Sequence, residues 1–299
     1  MKIFQFLAVC LLLSGCGNSD SAPLAKKQKV IVCTTGILAD VVRQFADSAE
    51  VVALMGPGTD PHLFKPTKAT LDDLARADVI VANGLHLEGR MQDVLEKFSD
   101  KKAVVFAGDA LDKSQLLYGD AARTIPDPHI WMNAALWANV AAHIATELDV
   151  LLYVNAGAVE AYIDQLLALD VEIAERMQTI PEEQRVLVTA HDAFQYFGEA
   201  YGVEVVGLQG ISTQSDYGVR DVTDMVDMLV DRKVKAVFVE SSISDRSMKA
   251  VAEGTARQGW NVALGGTLYT DALGGSDSGA DTYVGMMRAN VLTIYTALK

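Results

Sequence analysis

The 299-residue chain reads as an α/β protein of two lobes joined by a long helix, and three observations lead there. From residue 29 onward, short β-branched runs alternate with amphipathic stretches of helical period, the pattern of a parallel sheet flanked by helices. That alternation stops once, over residues 156–180, where helical period runs unbroken for about 37 Å at the usual rise per residue. After Pro181 the alternation starts again.

Taken in order, Met1-Lys2 precede the apolar run 3–13 and then Ser14-Gly15-Cys16. A charged start, an apolar segment too short to cross a bilayer and small residues before a cleavage point make residues 1–16 a secretory signal. The quartet Leu13-Ser14-Gly15-Cys16 resembles the bacterial lipobox, in which the Cys becomes the lipidated first residue of the mature chain. An ordinary signal with an incidental Cys is the alternative. Residues 17–28, polar and lysine-containing, then form a tether. With Cys10 lost and Cys16 lipidated, only Cys33 remains, which excludes an intramolecular disulfide and a thiolate zinc cluster. The net charge of −14 argues against nucleic acid, whose phosphates demand a basic face. It suits a cationic ligand, although most such charge is solvated surface.

Strands are expected at 30–34, 51–55, 79–82 and 103–106, with helices at 38–46, 71–77 and 91–98. The strands run into loops containing Gly36, the stretch 56–61 and Asn83-Gly84, which gather at the carboxyl edge where open α/β sheets bind ligands. Helices follow at 134–150 and at 156–180, the second with Val159, Ile163, Leu166, Leu169, Ile173 and Met177 along one face. The second half repeats the scheme, with strands at 186–189, 203–208, 236–240 and 262–264 and helices at 193–201, 219–230, 247–258 and 281–298. The divisions are therefore a lobe at 29–150, a linker helix at 151–182 and a lobe at 183–299.

The loop Gly56-Pro57-Gly58-Thr59-Asp60-Pro61-His62-Leu63-Phe64-Lys65-Pro66-Thr67 holds an imidazole in a segment stiffened by three prolines. The tripeptide Asp-Pro-His recurs at Asp127-Pro128-His129, and His191 follows the apolar run Val186-Leu187-Val188. Three loop histidines among five in all suggest a metal site, since neutral imidazole is a common ligand and ligands distant in sequence meet in a fold. Turn histidines packed beside proline are the plainer alternative for His62 and His129. If the ligand edges of the two lobes face one another, the cleft between them is the site. Asp271, after the last strand, is the candidate fourth ligand, with Glu240 competing for that place. Three imidazoles and a carboxylate suit zinc and leave no open coordination position, so binding rather than catalysis follows.

These motifs, with Asn83-Gly84-Leu85-His86-Leu87-Glu88, Ala190-His191-Asp192-Ala193-Phe194-Gln195-Tyr196-Phe197, Val239-Glu240-Ser241-Ser242 and Tyr283-Val284-Gly285-Met286-Met287-Arg288-Ala289-Asn290, carry a resemblance. From about Val30 to the end the chain resembles the zinc/manganese receptor family of bacterial ABC importers, the TroA/ZnuA type of periplasmic metal-binding lipoprotein. The resemblance implies two Rossmann-like lobes with parallel four-stranded sheets, joined by a rigid backbone helix, and a metal site in the interlobe cleft. It maps the metal ligands onto His62, His129, His191 and Asp271. It implies a monomeric receptor and not an enzyme, binding one Zn2+ per chain with Mn2+ as the alternative ion. Such a receptor is anchored in the bilayer through Cys16, faces the periplasm or cell surface, and delivers its ion to a permease with ATPase subunits.

Two departures from the family pattern stand out. Asn133 occupies a position where many relatives carry Asp, and the stretch 108–125 lacks the histidine-rich loop of many dedicated zinc receptors. In relatives resembling manganese-specific receptors the position of His191 is a Glu. A secreted zinc hydrolase is the rival reading, because His191-Asp192 is similar to pairs in metal-dependent phosphohydrolases; a surface adhesin is a third. His86 is expected at the rim, His143 on the surface or in packing, and Glu240 in support of a ligand. Phe194, Tyr196, Phe197, Tyr201, Trp131 and Trp137 are expected in the core, with Trp131 screening the metal.

Overall fold

Strands β1 (Val30–Cys33), β2 (Glu50–Ala53), β3 (Val79–Ala82) and β4 (Ala103–Phe106) form one parallel sheet in the order β2-β1-β3-β4. The computed structural model describes residues 28–299, so the signal, Cys16 and nearly all of the tether lie outside the described residues. Side chains along the strands alternate between two layers, as a pleated strand requires. Val30, Val32, Ile80 and Ala82 pack with Leu74 of α2 (Lys68–Arg76) and Leu95 of α3 (Gln92–Ser99). Ile31, Cys33, Val79 and Val81 face the opposite layer with α1 (Gly36–Phe45) and α4 (Ala134–Asp149). Burial pushes the Cys33 thiol up to about 12, which makes it a packing residue rather than a nucleophile.

Helix starts follow their caps. Thr67 and Thr70 form a capping box that begins α2 at Lys68, earlier than the apolar spacing alone indicates. Asn133 caps α4, its Oδ1 accepting from Leu136 N at 2.9 Å, so the departure at this position has a structural use. Helix α5 (Ala156–Gln178), capped by Asn155, buries Tyr162, Leu166, Leu169, Ile173 and Met177 in a stripe at three- and four-residue spacing. It packs against α1 and α4 on one side, and on the other against α6 (Gln195–Tyr201) and α9 (Tyr283–Leu298).

The second half contains β5 (Val186–His191), β6 (Glu204–Gln209), β7 (Ala236–Glu240) and β8 (Ala263–Leu268), with α7 (Val219–Asp231) and α8 (Arg246–Arg257) on its outer face. Here the expected four-stranded sheet needs correction: parallel ladders join β5 to β6 and β7 to β8, while β5 and β7 lie side by side. The cause is local. At the end of β5 the His191 N–H is taken by the Glu240 carboxylate rather than by a strand carbonyl, and the β7–β8 register breaks between Val237 and Val239. One apolar layer runs from Ile31 through α4 and α5 to Phe238 and α9, so both halves share it. Among the described residues no helix is long and apolar enough to cross a membrane.

Candidate metal centre

The repeated tripeptide builds the same turn twice. In Asp60-Pro61-His62 the carboxylate Oδ1 accepts from the His62 N–H at 2.9 Å, and in Asp127-Pro128-His129 it accepts from the His129 N–H at 2.9 Å. An Asp that bonds the backbone two residues on is a side-chain mimic of a turn, and proline between them fixes the path. The turns differ behind the ring. Asp127 Oδ1 also meets His129 Nδ1 at 2.7 Å, whereas His62 Nδ1 is buried without a hydrogen-bond partner.

The third imidazole comes from the end of β5. His191 and Glu240 have the same strand parity as Leu187 and Phe238, which belong to the shared layer, so both are turned inward. Glu240 grips His191 twice, through N–H at 2.9 Å and Nδ1 at 2.5 Å. Asp271 follows β8 after Thr270, whose carbonyl accepts from Trp131 Nε1 at 2.8 Å, and Ser242 Oγ lies 3.4 Å from Asp271 Oδ2. Trp131 therefore ties the His129 turn to the Asp271 segment, with its ring edge-on to His129 at 5.3 Å between centroids.

In their neutral form, with Nδ1 of His129 and His191 donating to carboxylates, both rings turn their Nε2 lone pairs inward. Nε2 of His129 lies 3.3 Å from Nε2 of His62 and 3.3 Å from Nε2 of His191. Asp271 places Oδ1 at 3.5 Å from His129 Nε2 and Oδ2 at 3.5 Å from His191 Nε2. The donor atoms of all four residues fall within 4.8 Å of one another, and the residues are buried. A tetrahedron with arms of about 2.0–2.1 Å has edges of about 3.3–3.4 Å; the two contacts between imidazoles at 3.3 Å match this, and the two Asp271 contacts at 3.5 Å lie close to it. Asp271 Oδ1 has no hydrogen-bond partner, and leaving a buried polar atom unpaired costs about 1–3 kcal/mol or more for a charged group. A cation among the four donors satisfies it.

The electrostatics point the same way. Burial lowers His62 to about 3 against the pull of Asp271. Burial also opposes charge on His129, but Asp127 and Asp271 outweigh it and lift this imidazole to about 9. His191 is raised well above its ordinary value because Glu240 and Asp271 overcome its burial. Burial would raise Asp271, yet His191 and His129 hold it well below the usual carboxylate range. Three carboxylates around two buried imidazoles demand positive charge, which a proton or a metal ion supplies.

The family described as zinc-uptake complex component A periplasmic, ZnuA, matches residues 31–297. The chain belongs to this family. Manganese-binding lipoprotein MntA of Bacillus subtilis is 42% identical over 96% of this chain and 95% of its own length. Zinc-binding protein TroA of Treponema pallidum is 38% identical over 94% of this chain and 92% of its own. The solved structure of periplasmic zinc binding protein TroA from Treponema pallidum superposes with a TM-score of 0.86 at 38% identity, covering 91% of this chain and 99% of that one.

Within this ZnuA-family chain the other histidines stand apart from the cluster. His86 is exposed and paired with Gln92, and His143 is half-buried on α4. Trp137 and the aromatic residues of α6 pack in the shared layer; of these, Tyr196 OH donates to Asp127 O and Tyr201 OH accepts from Ala134 N. Sequence reasoning missed the parts of Asp60 and Asp127, although their recurrence before Pro-His was the available signal. It also missed a buried brace at the β1/β3 switch point. There Glu88 accepts from Thr34 Oγ1 at 2.6 Å and Asn83 N at 2.7 Å, and Asn83 Nδ2 holds Pro128 O at 3.0 Å. That brace sets the His129 turn on the sheet edge.

Proposed function

We propose that this protein is an extracytoplasmic receptor that captures one transition-metal ion per chain through His62, His129, His191 and Asp271. As a monomer, it delivers the ion to the permease and ATPase subunits of an ABC importer. The observation that carries the reading is the convergence of four buried donor residues, their ligand atoms within 4.8 Å of one another and two contacts between imidazoles at 3.3 Å, with one carboxylate oxygen unpaired. The lobes at 29–150 and 183–299 hold the ion between them, with the helix of 151–182 as their common support. Zinc is the ion the donor set favours, since three nitrogens and one carboxylate widen the ordinary preference of zinc over manganese. The names of the two relatives, one manganese-binding and one zinc-binding, support a divalent metal of either kind.

A hydrolase needs a metal position open to water, and four protein donors leave none; the family is that of an uptake component. No described feature favours a surface adhesin. Protein purified without added metal is expected to take up one zinc per chain in a chelator competition and to prefer zinc to manganese. Stoichiometric binding of neither ion would overturn the receptor reading.

Anchoring through lipid on Cys16 rests on the lipobox-like quartet and on relatives that are named lipoproteins. Cys16→Ser is expected to move the protein from the detergent phase to the aqueous phase or to block its processing. Partitioning identical to that of the parent would count against the anchor.

A further inference from the structure

The three imidazoles are not braced alike. His129 is held by Asp127 from its own turn, and His191 by Glu240 from the neighbouring strand of its own half. His62 has no partner behind its ring, and its main chain is held from across the cleft. The loop after β6 reaches over from the second half. Thr213 Oγ1 donates to Asp60 Oδ2 at 2.7 Å, and Gln214 Nε2 donates to the His62 carbonyl at 2.8 Å. The other oxygen of Asp60 is the one that holds the His62 N–H.

The same loop fits the first half closely. A Cβ at Gly119 would stand 2.7 Å from Ile211 Cδ1, and one at Gly89 would stand 2.7 Å from Gln214 Nε2. Its own turn is braced internally, Ser215 N donating to Ser212 O and Gln209 Nε2 to Ser215 O. The loop thus meets the first half at Gly89 and Gly119 as well as through its two hydrogen bonds to the His62 turn.

We infer that Thr213 and Gln214 form a clasp that positions His62, and that release of this clasp makes His62 the first ligand to leave the metal. The inference rests on the receptor reading above and extends it to how the ion is let go. Both bonds cross the cleft, so they exist only while it is closed, and any separation of the halves frees the His62 turn. Separation also strains the contacts of Trp131 with Thr270 and of Tyr196 with Asp127, but the carboxylates behind the His129 and His191 rings each lie in the same half as their ring and stay with it. Thr213 and Gln214 are positioning residues: neither touches the ion, and their effect falls on dissociation.

The test is a chelator chase of zinc-loaded full-length protein, with association measured separately. Losing one hydrogen bond is expected to speed zinc release several-fold in Thr213→Val and in Gln214→Ala, and the pair by about ten-fold or more. Association is expected to stay within about two-fold of the parent, and Thr213→Ser to restore the parental release rate. Gln214 is exposed, so its replacement leaves the fold intact, and the melting temperature of the metal-free variants checks this for Thr213. A double variant that releases zinc at the parental rate, or that slows association as much as it speeds release, overturns the clasp while the receptor reading stands. A parent that holds neither zinc nor manganese removes the receptor reading itself.

Discussion

His191→Ala is expected to lose most of the zinc affinity, a fall on the order of a thousand-fold or more, since removing even a supporting partner of a metal ligand typically costs 10- to 100-fold. Two penalties combine. The site drops to three donors, and Glu240 keeps only the backbone N–H of its two bonds to this residue, leaving a buried charge half-satisfied. His191→Glu exchanges a nitrogen for oxygen and is expected to shift the ratio of affinities towards manganese. The structure adds a cost that donor counting omits. The introduced carboxylate would sit beside Glu240 in a buried place, so affinity for both ions falls while preference changes. Chelator competitions with both ions on parent and variants measure this. Parental zinc affinity in purified His191→Ala would remove His191 from the ligand set.

Zinc affinity is expected to climb steeply with pH, over a window higher than the ordinary histidine value of about 6.5 suggests. In the metal-free fold His129 is raised to about 9 and His191 is raised well above its usual value, so at neutral pH the pair holds positive charge. Nε2 must surrender any proton before it can donate to a metal, so each proton expelled makes apparent affinity change about ten-fold per pH unit. His62, lowered to about 3, expels none in this range. The sign for the empty protein is opposite. A group with a raised folded pKa contributes stability in full below its unfolded value, and that stability is lost as pH rises through about 9 for His129. Acid therefore favours the empty protonated fold, and metal competes best above neutrality. Affinities measured between about pH 6 and pH 8, with calorimetry in two buffers to count protons, test this; a flat profile with no proton release would exclude it.

Much of the architecture was legible because period and burial coincide. The apolar runs of β3 and β4 and the stripe of α5 appear where the pattern places them, since every strand residue there is apolar and the helix has one wet face. Legibility failed where tertiary partners replace local pattern. The last residues of β5, Ala190 and His191, look like a loop in sequence because a buried histidine reads as polar until its carboxylate partner is known. Strand β8 runs on to Leu268 through Gly265 and Gly266, the latter with φ of +131°, which no alternation of side chains can signal. The candidates His62 and His129 could be picked out because Asp-Pro-His repeats, whereas no such repeat marks His191 or Asp271. Thr213 and Gln214 could not, because their partners lie about 150 positions away along the chain.

The apolar layer shared by both halves bears on how a transporter would tell a loaded receptor from an empty one. A wide swing of one half against the other would tear Leu166, Leu169 and Ile173 of α5 from neighbours on both sides and expose them to water. The molecule is thus expected to keep nearly one silhouette whether or not it carries cargo, so that its outline alone would convey little to a docking permease; small-angle scattering that shows a wide rotation on metal loading would exclude this. The message has to be written in small features at the mouth of the cleft: the set of a turn, the presence of a few polar contacts, the local charge.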